Sequence, residues 1–181
     1  MFTPHHHTHL LQFRRNLFGY ACALCDDMAS AEDLYQDTLL RAMAAQDVPH
    51  DLAPFRAWMF RVLRNLWVDR LRAQRRLNEL LSDPAAIGGD GSEISGDEDV
   101  VINRVDVRHA FGRLSKAHRD VLALVDLGGF SYDETSELLE LPKGTVMSRI
   151  SRARAALQRE LLGKADAASS VVAMPRRRRG R

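Results

Sequence analysis

The side chains best suited to chemistry are the basic and hydroxylated residues of one short segment, residues 143–152. They are Lys143, Thr145, Ser148, Arg149 and Arg152. An arginine can pair with both acceptors of a guanine edge, and a serine or threonine hydroxyl can contact a phosphate or a base. The segment therefore predicts binding to double-stranded DNA. The alternative is that its arginines form only a solvated helix face.

A second basic segment covers residues 56–76, with seven arginines and one acid. Arginines neutralise phosphates, and aromatic side chains beside them suit the unstacked bases of single-stranded DNA. The amide of Asn65 offers a donor and an acceptor to a base edge, although this residue could equally face solvent. We expect Trp58 and Trp67 to belong to the core. The candidate DNA-contacting residues are Arg56, Arg61, Arg64, Asn65 and Arg72.

An acidic segment precedes it: residues 26–51 hold seven acids and one basic residue, Arg41, in a chain whose net charge is only +2. On a helix, this composition predicts a polar interface with a protein, because DNA is itself negatively charged. The side chains of this candidate acidic face are Glu32, Asp33, Gln36, Asp37 and Arg41.

Cysteine and histidine are the usual ligands of zinc, and the N-terminal part of the chain contains both. Cys22 and Cys25 lie on a predicted helix whose other residues are core-like, and four histidines fall at a terminus that we expect to be disordered. We therefore expect no metal site and no cofactor. The chain has no phosphate-binding glycine motif, nucleophile elbow or pair of catalytic carboxylates, so we do not expect an enzyme. The histidines are His5, His6, His7 and His9.

The elements that carry these residues are predicted to be helices, because apolar residues recur every three or four positions and no convincing period-two strand appears. In the N-terminal half, helices are predicted over 10–25, over 31–45 with Ser30 as the N-cap, and over 55–81. The second of these should bury Leu34, Leu39 and Met43. In the C-terminal half they are predicted over 101–113, from a cap at Ser115 to residues 128–129, over 131–139 and over 143–162. The sequence therefore predicts an all-α fold.

Residues 131–159 have the pattern of a helix-turn-helix, in which a short capped helix and a tight turn precede a longer basic helix. Ser131 and Glu134 form a predicted capping box, and Pro142 marks the turn. On the second helix, four apolar residues at spacings of four, three and four predict a buried stripe. They are Val146, Ile150, Ala153 and Leu157.

Residues 82–102 contain four glycines and six acids and are predicted to form a flexible acidic linker between two small helical domains, 10–81 and 103–162. Residues 163–181 are predicted to be a disordered basic tail. A flexible linker of this length spans only about 25 Å on average, so the two domains can stay close together. We therefore expect the free chain to pack its domains together until a partner separates them.

No apolar run approaches the roughly 20 residues that cross a bilayer, so we expect no membrane span. The start of the chain, with its histidine cluster, has no signal-peptide pattern. Two cysteines do not make a disulfide framework. These features indicate a chain that works in the cytoplasm.

Three stretches of the sequence resemble conserved regions of one family. Residues 31–43, AEDLYQDTLLRAM, and 57–72, AWMFRVLRNLWVDRLR, are similar to region two of sigma factors of the extracytoplasmic-function group. Residues 114–159, which end in LPKGTVMSRISRARAALQR, are similar to region four. The resemblance covers about residues 10–162, with no third domain between the two regions, as is typical of this group.

The resemblance implies a function and assigns roles to the candidate residues. It implies that the chain binds core RNA polymerase, with the helix around Glu32 and Asp37 docking on the clamp coiled coil of the large catalytic subunit. It implies that residues 46–54, with Arg61, Arg64 and Asn65, meet the melted minus-ten element, where a base is flipped into a protein pocket. The helix-turn-helix would read the minus-thirty-five element as duplex, and an inhibitory anti-sigma factor would control the chain.

One residue departs from the family pattern. The turn of the helix-turn-helix often carries glycine in this family, whereas Glu140 stands here. A left-handed turn conformation costs more for glutamate than for glycine, so the turn geometry stays open. The family assigns no role to residues 90–99 or to the arginine-rich end.

Two other functions fit part of the sequence. A transcription regulator could use the helix-turn-helix alone and carry an unrelated sensor in residues 1–81, and it would not need to bind core polymerase. A sigma mimic could sequester an anti-sigma factor without contacting promoter DNA. Binding to core polymerase and transcription from purified components distinguish these alternatives.

Overall fold

The computed structural model describes residues 2–81 and 101–169, with the surroundings of side chains given for 2–80 and 107–162. Within these ranges the regular structure is helical and no strand is present, which confirms the predicted all-α class. The helices are α1 (Pro4–Leu24), α2 (Met28–Ala44), α3 (Leu52–Leu81), α4 (Val101–Gly112), α5 (Lys116–Leu122), α6 (Tyr132–Leu139) and α7 (Lys143–Ser169), with a π-helical turn at Ala123–Leu127.

The N-terminal domain consists of α1, α2 and α3, each packed against the other two. The apolar residues of α1 fall at spacings of three or four, so they share the face that is buried. Leu34 on α2, and Phe60 and Leu63 on α3, complete the core and are fully buried. Burying each such side chain stabilises the fold by about 1.5–3 kcal/mol.

Helix α1 begins at Pro4, six residues before the predicted start, so the prediction of a disordered histidine run is wrong. Thr3 is the N-cap, and proline at the first helical position loses no hydrogen bond because that N–H would have no partner within the helix. His6 reaches back to the Thr3 backbone N–H, in the manner of a capping box, and is fully buried. Local capping thus extends the helix beyond its apolar stripe.

The starts of α2 and α3 also differ from prediction. Asp27, not Ser30, caps α2, because its carboxylate accepts the Ser30 backbone N–H at 2.8 Å. Helix α3 begins at Leu52, and Pro54, predicted to be in the loop, lies in the first turn, where a missing N–H is tolerated. Met43, predicted to be buried, is 62% exposed, because the buried stripe of α2 runs one residue away from it, through Ala42.

The C-terminal domain consists of α4 to α7. Ser115 caps α5 by accepting the His118 N–H, and the π-helical turn ends at Gly128 and Gly129, as predicted. Gly129 has a φ of +71°, a left-handed conformation that glycine adopts without strain. Helix α4 begins at Val101, the predicted start, so residues 101–102 belong to a helix and not to the predicted linker; the remaining linker residues, 82–100, lie outside the described residues.

The predicted disordered tail is wrong at its start, because α7 continues through Ser169. Strong helix formers such as alanine, leucine and lysine in residues 160–168 favour this continuation. Residues 170–181 of the predicted tail lie outside the described residues.

The two domains pack against each other, with α1 against α5 and the π-helical turn, and α3 against α6. Phe60 of α3 lies edge-on to Phe130 with ring centroids 4.8 Å apart, and it stacks on Tyr20 of α1 at 5.3 Å. All three rings are buried. The structure therefore has the packed arrangement that the sequence analysis expected of the free chain.

Candidate nucleic-acid and protein interfaces

The helix-turn-helix has the predicted geometry. The Glu134 backbone N–H donates to the Ser131 hydroxyl at 3.2 Å, and the Ser131 N–H donates to the Glu134 carboxylate at 2.7 Å, so the predicted capping box is present. Glu140 takes the left-handed conformation with a φ of 55°. The Ser136 hydroxyl donates to the Leu141 carbonyl, which ties the end of α6 to the turn. These contacts fix how α7 leaves the turn.

Helix α7 has one buried side and one exposed side. Val146, Ile150 and Ala153 are buried against the rest of the domain, as predicted, whereas Leu157 is only partly buried. Ser148 and Arg152, four residues apart, are exposed on the opposite side. Ser151 is exposed beside them and was missed by sequence reasoning, although its spacing of three from Ser148 could have identified it.

The other predicted residues of α7 lie around this exposed side. Thr145 and Arg149 are half-buried at its edge, and the Thr145 carbonyl accepts the Ser148 hydroxyl at 3.0 Å. Lys143 forms an ion pair with Asp133 of α6 at 2.8 Å. Within the described ranges, Arg149 and Arg152 have no ion-pair partner, so both are available to an anion.

Helix α3 presents a separate DNA-facing candidate surface. Arg61, Asn65 and Arg72 are exposed, and their spacings of four and seven place them on one side of the helix. Trp58, three residues before Arg61, lies on the same side. It is half-buried and packs against the core, so its predicted core position is confirmed only in part. Trp67 is buried, as predicted.

A pocket of about 390 Å³ adjoins this surface. Trp58 forms part of its wall, and the remaining wall comes from the loop between α2 and α3, within the residues predicted to meet a flipped base. An aromatic side chain beside a basic helix face is a suitable surface for a flat ring. The loop residues that line the pocket are Gln46, Asp47, Val48, Pro49 and His50.

Arg56 and Arg64, predicted with that surface, face the C-terminal domain instead. Arg56 donates to the Gly128 carbonyl at 2.7 Å, and its guanidinium lies 4.2 Å from the centre of the Phe130 ring. Arg64 forms an ion pair with Asp120 at 3.0 Å. The structure thus divides the five predicted residues between an exposed group of three and a pair bound to the other domain.

Asp120 is the centre of the contact between the domains. Its side chain is only 7% exposed. One carboxylate oxygen accepts a hydrogen bond from the Arg64 guanidinium, and the other accepts one from the Tyr20 hydroxyl. Burial and the negative charge of Asp120 raise the pKa of Tyr20 well above 10, so the phenol stays protonated and donates. Asp26 and Arg119 form a second interdomain ion pair at 2.7 Å. Sequence reasoning missed this network, because its members lie up to 100 residues apart.

All five residues of the predicted acidic face of α2 are exposed: Glu32, Asp33, Gln36, Asp37 and Arg41. Asp37 is paired with Arg70 of α3. Leu40 and Met43, which are 64% and 62% exposed, lie among them and were not predicted to be there. The surface therefore combines acidic groups with exposed apolar side chains, a composition that suits a protein partner.

The histidines and cysteines lie too far apart to share a metal ion. His6 and Cys22 are sixteen residues apart on α1, which corresponds to about 24 Å along a helix. Among the described residues, no group of three or more histidine, cysteine or acidic side chains is placed to hold a metal. Burial raises the pKa of Cys25 to about 11 and also raises that of Cys22, so both thiols stay protonated at neutral pH.

Two family models match the chain: sigma-70 region 2 over residues 10–77 and sigma-70 region 4 over residues 104–157. The ECF RNA polymerase sigma factor SigL of Mycobacterium tuberculosis is 36% identical over 144 residues, which are 78% of this chain and 80% of that protein. The ECF RNA polymerase sigma factor EcfG of Rhodopseudomonas palustris is 32% identical over 147 residues, which are 78% and 77% of the two chains.

A solved structure has a similar fold. The sigma factor RpoE of Bartonella quintana, in complex with the anti-sigma factor NepR, matches with a TM-score of 0.66 and 32% identity. The match covers 84% of this chain and 94% of that one. Within the described residues, no helix has the length and apolar character needed to cross a membrane.

Proposed function

This chain belongs to the ECF RNA polymerase sigma factors, and we propose from that premise that it initiates transcription by bringing core polymerase to promoters. We assign residues 10–81 to polymerase binding and the minus-ten element, and residues 103–162 to the minus-thirty-five element. The observation that supports the proposal is the presence of two separate exposed surfaces that carry arginines, on α3 and α7, beside a third, acidic surface on α2. A sigma factor that contacts core polymerase and both promoter elements needs all three surfaces, and this role would be non-enzymatic and cytoplasmic.

Helix α7 would read the minus-thirty-five element from the major groove. Its exposed side carries small or flexible polar residues, Ser148, Ser151 and Arg152, so the helix can lie deep in the groove. Arg152 can pair with a guanine, and Arg149 at the edge can contact a phosphate. Lys143, held by Asp133, would contact DNA only if that ion pair opened.

The exposed side of α3 and the adjoining pocket would hold the melted minus-ten element. Arg61 and Arg72 would contact the phosphates, while Asn65 would read a base edge. A base flipped out of the stack would enter the pocket and contact Trp58. Capturing that base would offset the few kcal/mol that unstacking costs and would favour the open duplex.

Core polymerase would bind the α2 surface. Acidic groups such as Asp33 would set the orientation, and burial of Leu40 and Met43 would supply apolar contact. An anti-sigma factor is a further proposed partner, by analogy with the relative that was solved in complex with NepR.

The packed arrangement of the two domains would prevent two of the candidate DNA-binding residues from contacting DNA. The guanidinium groups of Arg56 and Arg64 are bound to the C-terminal domain, so they would reach DNA only after that domain moved away. We propose that polymerase binding drives this separation, since the two promoter elements lie apart on the DNA.

Footprinting of the reconstituted holoenzyme tests the assignment of the two DNA surfaces. Arg152→Ala should weaken binding to the minus-thirty-five element, measured as protection, by about 1–3 kcal/mol, the free energy of one good base contact. Asn65→Ala should reduce permanganate reactivity of the melted minus-ten thymines and leave minus-thirty-five protection unchanged. Arg159→Ala, an exposed arginine further along α7, is the matched control.

The outcomes separate the alternatives. If neither variant changed its own element, or if both changed the two elements equally, the assignment of α3 and α7 would be wrong. A chain that protected duplex DNA in the absence of core polymerase, and whose protection did not increase when core polymerase was added, would be a transcription regulator that uses only the helix-turn-helix.

A further inference from the structure

His6 is a buried titratable residue that none of the proposed interfaces uses. It is fully buried, and its ring packs among Phe2, His50 and Phe55, with ring centroids 5.5, 5.3 and 5.1 Å away. An exposed histidine in this segment would need no explanation, but a buried one must satisfy two ring nitrogens. Its hydrogen bonds therefore indicate what it does.

The hydrogen bonds of His6 fix its tautomer. Nδ1 lies 3.0 Å from the Thr3 backbone nitrogen, which can only donate, so Nδ1 is the acceptor. Nε2 must then carry the proton, and it lies 3.1 Å from the Pro49 carbonyl, which can only accept. The neutral ring thus joins the start of α1 to a residue 43 positions away.

Pro49 belongs to the loop between α2 and α3 that forms most of the pocket wall. The hydrogen bond from Nε2 ends on the backbone of this loop, between the pocket residues Val48 and His50. Val48 is buried, so this part of the loop is packed as well as tethered. The position of the pocket wall therefore depends on a contact made by α1.

We propose that His6 is a positioning residue for promoter opening, which holds the 46–50 loop in the conformation that accepts an unpaired base. This inference rests on the proposed function of the pocket. His6 does not touch DNA in this account. It acts through Pro49, so in a folded variant its loss changes which bases the pocket accepts and leaves polymerase binding unchanged.

Two substitutions separate the tether from the packing of the ring. His6→Gln keeps both bonds, because glutamine suits this capping position and its amide N–H can still donate to the Pro49 carbonyl. His6→Met has a similar length but no polar hydrogen. Both variants lose the aromatic ring equally, so a difference between them reports the hydrogen bonds. His7→Gln, at the exposed neighbouring position, is the control.

The readout is binding of the holoenzyme to single-stranded minus-ten oligonucleotides that carry each of the four bases in turn. We expect His6→Met to reduce the discrimination between the best base and the others about fivefold, the effect of one lost hydrogen bond. His6→Gln and His7→Gln should discriminate like the natural chain. Core binding and affinity for minus-thirty-five duplex should be equal in all four proteins.

The results distinguish two failures. If the natural chain showed no base preference at all, the proposed function of the pocket would fail. If it discriminated and His6→Met discriminated equally well, His6 would not be a positioning residue.

A measurement on the natural chain covers the case in which His6→Met does not fold. Nitrogen-15 NMR of histidine side chains should show His6 as the neutral Nε2–H tautomer, with slower exchange of that proton when the minus-ten oligonucleotide binds. An Nδ1–H tautomer, or exchange that the oligonucleotide leaves unchanged, would overturn the proposal.

Discussion

At the scale of single residues, His6 makes stability depend on pH. Burial is the main cause that lowers its pKa below the ordinary 6.5, and the nearby His50, His5 and amino terminus act in the same direction. The hydrogen bond to Pro49 opposes them. Because the unfolded chain binds this proton at higher pH than the folded chain, the stabilising effect is full above pH 6.5 and is lost as pH falls towards the lower folded pKa.

We therefore predict that the urea midpoint of the natural chain falls between pH 7.5 and pH 5.5. His6→Gln should show a smaller fall, because it removes the group whose pKa differs between the two states. His7→Gln should behave like the natural chain. Urea unfolding at each pH measures the midpoint. Equal falls of the midpoint in all three proteins would contradict this role for His6.

Some site residues could be predicted from the sequence and others could not. Ser148 and Arg152 were found because their side of α7 is set by local helical spacing. The orientation of Arg56 and Arg64 could not be found, since it depends on Gly128 and Asp120, each more than fifty residues away. His6 was misjudged for the same reason, because its partner Pro49 is distant in the sequence.

At the scale of elements, the turn between α6 and α7 stores local strain. Glu140 is the one non-glycine residue with positive φ in the described ranges. Glycine removes the left-handed penalty of about 1–2 kcal/mol, although it adds entropy to the unfolded chain. We predict that Glu140→Gly raises the free energy of unfolding by about 0.5–1 kcal/mol.

Chemical denaturation measures this change in the free energy of unfolding. Glu137→Gly is the control, for which we expect a change of opposite sign. Glu137 is exposed within α6, where glycine should cost about 1 kcal/mol. If Glu140→Gly destabilised the chain as Glu137→Gly does, the left-handed turn would not be a source of strain.

The apolar part of α2 gives a prediction about polymerase binding. Leu40→Ser combined with Met43→Ser should weaken binding to core polymerase by about 2 kcal/mol, because both side chains would be buried in the complex. Fluorescence anisotropy of the labelled chain titrated with core enzyme measures the affinity. Leu11→Ser, at an exposed leucine of α1, should change nothing. Unchanged affinity in the double variant would exclude this face as the apolar contact.

The existence and order of the helices could be predicted, but several of their ends could not. Capping residues decide the ends, and Asp27 and Ser30 are both good caps within four residues of each other. The choice of Asp27 follows from its carboxylate binding both the backbone and the hydroxyl of Ser30. Such competition between adjacent caps is settled by three-dimensional geometry.

At the scale of the whole molecule, the contact between domains rests on few groups. Asp120→Asn removes the charge that binds Arg64, and loss of one partner of a buried ion pair is strongly unfavourable. We predict that the free variant becomes more extended and binds minus-ten oligonucleotides more tightly than the natural chain, since Arg56 and Arg64 become available. Small-angle scattering gives the radius of gyration.

Glu160→Gln is the matched control for that variant, because it removes an ion pair with Arg113 that lies within the C-terminal domain. It should leave the radius of gyration unchanged. An extended natural chain, or an Asp120→Asn variant as compact as the natural one, would contradict the proposed role of this contact.

The division into two helical domains followed from composition, because a glycine-rich acidic stretch separates two segments with helical periodicity. How the domains contact each other could not be predicted in detail. Phe60, Tyr20 and Phe130 are far apart in the sequence, and only the structure shows that they belong to one interface between domains.

Run-off transcription with purified core polymerase tests the central claim most directly. On genomic fragments, we expect discrete transcripts that need both core enzyme and this chain, and that disappear when Asn65→Ala and Arg152→Ala are combined. Absence of any transcript while the chain binds core polymerase, or identical transcripts from core polymerase alone, would contradict the account.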